Sequence, residues 1–157
     1  MSSGDSNADI TSLKANTVLF SEGEPSAFMY IIKRGKVQIV KEDKDTVIPI
    51  SILRAQDFVG ELSLFDDAPR SASAIAIEDT EVILVKKNEI RKMLNTCPEW
   101  VTNILITLCD RLKSSVEILQ QHHIVDDQEQ DPKINSAERL AKLSKLIKEH
   151  KKRRGIG

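Results

Sequence analysis

The residues of this chain best equipped for chemistry are Gly60, Glu61 and Arg70, all within the stretch FVGELSLFDDAPRSAS at positions 58–73. Gly60 lets the backbone approach a ligand closely, and the two oxygens of Glu61 can accept from ribose hydroxyls. If Glu61-Leu62-Ser63 open a helical turn, their free N–H groups form a small anion site. Arg70 brings a planar fork of donors that matches a phosphate, and Ser71 adds a hydroxyl. Pro69 stiffens the approach by fixing its own φ. A loop in that order can hold a phosphate and a ribose from opposite ends. By residue type alone, an exposed Glu61–Arg70 ion pair beside a glycine turn fits as well.

Short strands must position such a loop. Val18-Leu19-Phe20 reads as a strand, Ser21 to Ser26 as a turn, and Phe28 to Ile32 as a second strand closed by the turn Lys33-Arg34-Gly35-Lys36. Val37, Ile39, Val47, Ile48, Ile50 and Ile52 continue the pattern, with the charged run Lys41 to Asp45 at a hairpin tip. Ala72 to Ile77 and Glu81 to Val85 add two strands joined by Glu78-Asp79-Thr80.

In its order of residues the loop resembles the phosphate-binding cassette of cyclic nucleotide-binding domains, such as those of catabolite activator proteins and the regulatory subunits of cyclic-AMP-dependent kinase. Gly60-Glu61-Leu62-Ser63-Leu64, the gap Phe65 to Ala68, and Pro69-Arg70-Ser71-Ala72-Ser73 carry the match. Glu22-Gly23-Glu24, Met29-Tyr30-Ile31-Ile32 and Arg34-Gly35-Lys36-Val37 fit the family's earlier landmarks, so the resemblance covers about Leu13 to Leu119. It implies a mainly β fold with flanking helices, a jelly-roll β-barrel and then a long C-terminal helix, to which this sequence adds an extra basic helix. It also implies a ligand, cyclic AMP or cyclic GMP, and no further cofactor. Arg70, Ser71 and the backbone around Leu62 would take the phosphate, and Glu61 the ribose 2′-OH. Gly60, Ser63 and Ala72 would complete the loop, and Ser115 would face the base. Val116 stands where a bacterial pattern has a second hydroxyl, and Ser71 occurs in members of either preference, so the base stays open.

Helices follow the barrel. Lys87 to Leu94 reads as a short helix, and a longer one starts near Pro98 and runs to about Ile124. Val101, Leu105, Leu108, Leu112, Ser115 and Leu119 recur at steps of four and three, a seam suited to a homodimer through residues 98–125 or to packing on the barrel. Ser115 also reads as a tolerated small polar residue within that seam.

Composition sets the remaining expectations. The chain has 157 residues, enough for one core, with 40% hydrophobic and 30% charged residues. Residues 133–157 hold nine basic residues against two acids, a net +7, which leaves −8 for the rest of a chain whose total is −1. The expected division is a flexible N-terminus (1–12), a cyclic nucleotide-binding domain (13–125), an acidic linker (126–135) and a basic amphipathic helix (136–154) capped by Ser136. Leu140, Leu143, Leu146 and Ile147 give that helix one apolar stripe. The stripe fits docking on the chain's own barrel or a dimer mate, while its lysines fit an acidic protein partner or an anionic surface. About 30 residues are too few for the family's DNA-binding domain, so specific DNA reading is not expected.

No run approaches the roughly 18 apolar residues of a membrane span and no export signal is evident, so a cytoplasmic protein is expected. Cys97 and Cys109 read as reduced, half-buried thiols. His122, His123 and His150 all follow the barrel, which leaves a barrel metal site without ligands, and His122-His123 read as solvent-facing or near the dimer seam. With no nucleophile-base arrangement and no triphosphate loop, an enzyme is not expected. The reading is a stand-alone cyclic-nucleotide sensor whose ligand repositions the long helix and basic tail. The alternatives are a transcription-regulator-like protein using the tail on DNA and a ligand-free dimerisation module.

Overall fold

Alternating apolar and polar residues in short segments build two facing sheets. The computed structural model describes residues 9–60, 65–121 and 132–156. In chain order the strands are β1 (Ile10–Leu13), β2 (Val18–Phe20), β3 (Phe28–Arg34), β4 (Val37–Asp43), β5 (Thr46–Leu53), β6 (Phe58–Val59), β7 (Ser73–Ala76) and β8 (Thr80–Lys86). They are followed by α1 (Lys87–Leu94), α2 (Glu99–Gln121) and α3 (Ala137–Arg154). One antiparallel sheet has the order β1-β8-β3-β6 and the other β2-β7-β4-β5.

Between the sheets lies a core of Leu19, Phe20, Ile32, Val37, Val59, Ala74, Ala76 and Val82. β7 is buried along its whole length because both of its faces are covered. Ala74 and Ala76 belong to the inter-sheet core, while Ile75 packs with Val40, Val47, Leu143 and Ile147 under α3.

That second cluster decides where the basic helix goes. Ser136 accepts the Arg139 N–H at 3.2 Å, starting α3 at the expected cap, and Gly155 ends it with a left-handed φ of 67° that glycine adopts readily. The apolar stripe of α3 lies on the chain's own second sheet, with Leu143 and Ile147 fully buried. Several basic residues of α3 reach the barrel: Arg139 to Asn16 at 2.9 Å, Lys148 to Asp45 at 3.1 Å, and Lys151 to Glu42.

The structure revises several expectations. Lys41 to Asp43 are not hairpin tip but strand, paired with Thr46 to Ile48, which leaves Lys44-Asp45 to turn. Their charges are tolerated in a strand because Lys41 meets Glu22 at 2.8 Å and Glu42 meets Lys151. Residues 10–12, expected to be flexible, pair with β8 as part of β1. Cys97 is exposed rather than half-buried, whereas Cys109 is partly covered. The expected end of the long helix at 122–125, His122-His123 and most of the linker lie outside the described residues. Among the described residues, no helix is long and apolar enough to cross a membrane.

Candidate functional site

Arg70 is the centre of the site. Its side chain is 4% exposed, and its guanidinium lies over the Phe20 ring, Cζ to centroid 4.0 Å, with Tyr30 at 5.9 Å. The fork donates to the main-chain carbonyl of Phe28 and, at 3.5 Å, to that of Gly60. Two backbone bonds fix the arginine from the other side: Arg70 N–H donates to Glu24 O and Gly23 N–H to Arg70 O, both at 2.8 Å. The Gly-acid turn after β2 is thus a clamp on Arg70.

Gly60 ends β6 with φ +90°, and a Cβ there would stand 2.3 Å from Arg70 Nη1. Only glycine allows both that backbone and that close guanidinium. Glu61, Leu62 and Ser63, expected to supply ribose and phosphate contacts, lie outside the described residues. Ser71 is exposed and Ala72 half-buried, and Lys41 donates to the Ser71 carbonyl at 2.8 Å, tying the end of the cassette to β4. Ser115 lies on α2, exposed, its hydroxyl donating to Arg111 O at 2.9 Å. Gly60 and Arg70 are therefore brought together, while Ser115 turns to its own helix.

Sequence reasoning missed two groups. The first is Glu24, 7% exposed, whose Oε2 accepts from Ser21 N–H at 2.6 Å and meets His150 Nε2 at 3.0 Å, with Arg154 Nε 3.6 Å from Oε1. His150 extends the α3 stripe beyond Leu143 and Ile147 at steps of four and three, so its burial had a periodic signal. Burial opposes the Glu24 charge, but the Ser21 N–H and His150 outweigh it and hold the carboxyl below its ordinary value of 4.5. A carboxyl depressed by folding stabilises the fold above its unfolded value and loses that contribution as pH falls through the folded one. Thermal midpoints should therefore drop below pH 4.5 and drop less in Glu24→Gln; equal slopes for both proteins would exclude this carboxyl as the cause.

The second is Lys87, 3% exposed at the start of α1. Its N–H donates to Ala27 O at 3.1 Å and its Nζ lies 3.5 Å from Asp66 O. Burial, with Arg70 and Arg91 repelling from nearby, pushes this ammonium down to about 8. In sequence Lys86-Lys87 looks like any solvated pair.

The family model described as the cyclic nucleotide-binding domain matches residues 10–97. The chain is 34% identical over 96 residues to a CRP-like cAMP-activated global transcriptional regulator of Mycobacterium tuberculosis, covering 60% of this chain and 43% of the relative. It is 31% identical over 86 residues to a cAMP-dependent protein kinase regulatory subunit of Aspergillus fumigatus, covering 55% and 20%. Among solved structures, the cAMP-bound form of the EAL enzyme Bd1971 aligns with a TM-score of 0.62 and 29% identity, over 73% of this chain and 31% of that one. The chain spans less than half the length of each of these proteins. The match runs from β1 to just past α1, over both sheets and the Gly60–Arg70 pair, and the chain belongs to the cyclic nucleotide-binding domain family.

Proposed function

We propose that this chain binds a 3′,5′-cyclic purine nucleotide and reports it through α2 and α3. The observation that carries this reading is Arg70, a buried guanidinium clamped by the Gly23-Glu24 turn, stacked on Phe20 and set against the one residue type that Gly60 can be. Arg70 would take the phosphate with Ser71 and the backbone around Leu62, Glu61 would take the ribose 2′-OH, and Ser115 would approach the base. The relatives named for cAMP support this ligand class.

The output follows from connectivity. Glu24 joins the backbone of Arg70 to His150 and Arg154 of α3. A phosphate that draws on Arg70 therefore acts on the same turn that seats α3, and it shifts the helix only as far as it prefers one arrangement. The apolar face of α3 is occupied by its own barrel, which favours this internal output over use of the tail on DNA. Exposed Ile104, Leu108, Leu112 and Ile118 of α2 offer a face for a second copy of the chain. A light-scattering mass of two chains is expected, and a single-chain mass would remove α2 pairing.

Calorimetric titration with cyclic AMP and cyclic GMP, with 5′-AMP as control, tests the reading. Binding of at least one cyclic nucleotide but not of 5′-AMP is expected. No heat and no thermal stabilisation with any of them would overturn it.

A further inference from the structure

We propose that the cleft between α3 and the start of β2 is a second ligand site, shaped for a small organic carboxylate. Its walls contain no residue of the cassette, and it stands independently of the nucleotide reading.

The cleft follows from how α3 sits on the barrel. Leu146, His150, Arg153 and Arg154 recur at i, i+4, i+7 and i+8, so one flank of the helix carries all four. Val18 packs with the apolar stripe of α3, which sets that flank against Asn16-Thr17-Val18, and the two walls enclose about 560 Å³. Small-molecule sites occupy roughly 300–1,000 Å³. From Leu146 to Arg154 the α3 wall is about 12 Å long at about 1.5 Å per residue.

Its chemistry changes along that length. In the last turn of α3 two guanidinium groups stand ready: Arg153 makes no hydrogen bond or ion pair among the described residues, and Arg154 meets Glu24 Oε1 through Nε, at 3.6 Å. Among the described residues no carboxylate lines the cleft. Glu24 lies behind the wall, held by Ser21 N–H at 2.6 Å and by Nε2 of the buried His150 at 3.0 Å. Asp79, near the β1–β2 turn, is taken by Ala15 N–H at 3.0 Å and by Lys14 at 3.4 Å. Val18 and Leu146 supply an apolar floor. On the Asn16 side the cleft faces Arg139, in the first turn of α3. An arginine only donates, so its 2.9 Å contact takes Asn16 Oδ1 and leaves the Asn16 amide N–H groups, beside the Thr17 hydroxyl, for a ligand.

A bare inorganic anion would use the arginines and leave the floor uncovered. A carboxylate on an aliphatic or aromatic body uses both, because its planar head matches the guanidinium forks and its body covers Val18 and Leu146.

The test is thermal melting and calorimetry of the full chain with 4-hydroxybenzoate and with octanoate, against 4-hydroxybenzamide and inorganic phosphate. At least one carboxylate is expected to raise the thermal midpoint and to give saturable heat, and the uncharged amide to do neither. Arg153→Gln is expected to keep the midpoint of the unliganded chain and to bind that carboxylate about tenfold more weakly. No stabilisation by either carboxylate, or equal affinity in Arg153→Gln, would overturn the proposal. Phosphate or the amide binding as tightly as the carboxylates would overturn it as well, since the cleft would then select for charge alone or for shape alone.

Discussion

Arg70→Ala is expected to remove nearly all affinity for cyclic nucleotides, a loss of about 3 kcal/mol or more, roughly a hundredfold. The reason is that the phosphate would keep its burial but lose a charged, two-pronged donor that the fold holds ready. Glu24 O and Gly23 N–H fix its backbone, Phe20 supports its plane, and Gly60 leaves the space it fills. Arg70→Lys should recover little, because an ammonium has neither the fork that spans the Phe28 and Gly60 carbonyls nor the flat face that lies on Phe20. Calorimetry with the variant checks both statements. Affinity within a few-fold of the wild type in Arg70→Ala would mean that the phosphate is held elsewhere. Thermal melts run alongside separate lost binding from lost fold, since removing the guanidinium from the Phe20 ring also leaves a gap.

Leu143→Ala is the variant expected to cost most stability, about 2–5 kcal/mol, with α3 loosened from the second sheet. Leu143 is fully buried against Val40, Val47, Ile75 and Ile147, a seam with no contribution from the core between the sheets. Denaturant unfolding gives the size of the loss, and hydrogen exchange over residues 137–154 gives its place. A loss under about 0.5 kcal/mol, the range of ordinary surface substitutions, would mean that α3 does not occupy this seat in solution. Because Glu24 bonds both to His150 and to the backbone of Arg70, the loosened helix should also alter nucleotide affinity, and the sign of that change reports which state of α3 the ligand prefers.

These expectations rest on very different amounts of sequence information. The short helix after the barrel has the bounds expected for it, Lys87–Leu94, and α3 begins at the serine that local capping chemistry selects. The strands at Val18–Phe20 and Phe28–Arg34 follow from apolar runs between turn residues, although the second continues past its apolar part through Lys33 and Arg34. The hairpin of β4 and β5 went further astray: Lys41, Glu42 and Asp43 read as a turn by charge, and become strand because partners on the Glu22 turn and on α3 neutralise them.

Local signals are carried by residues a few positions apart, so the chain by itself determined the strand rhythm, the serine cap that starts α3, the apolar stripe of α3 and the order Gly-Glu to Pro-Arg that marks the cassette. Tertiary structure alone decided which face of the barrel the stripe covers and that Lys87 is buried. It also decided that Glu24 meets a histidine 126 residues away and that the Arg70 backbone hangs from the same turn. The physical reason is that burial and ion pairing depend on which distant elements the sheet topology brings together. A lysine or a glutamate reads the same in sequence whether it faces water or the inside of a closed site.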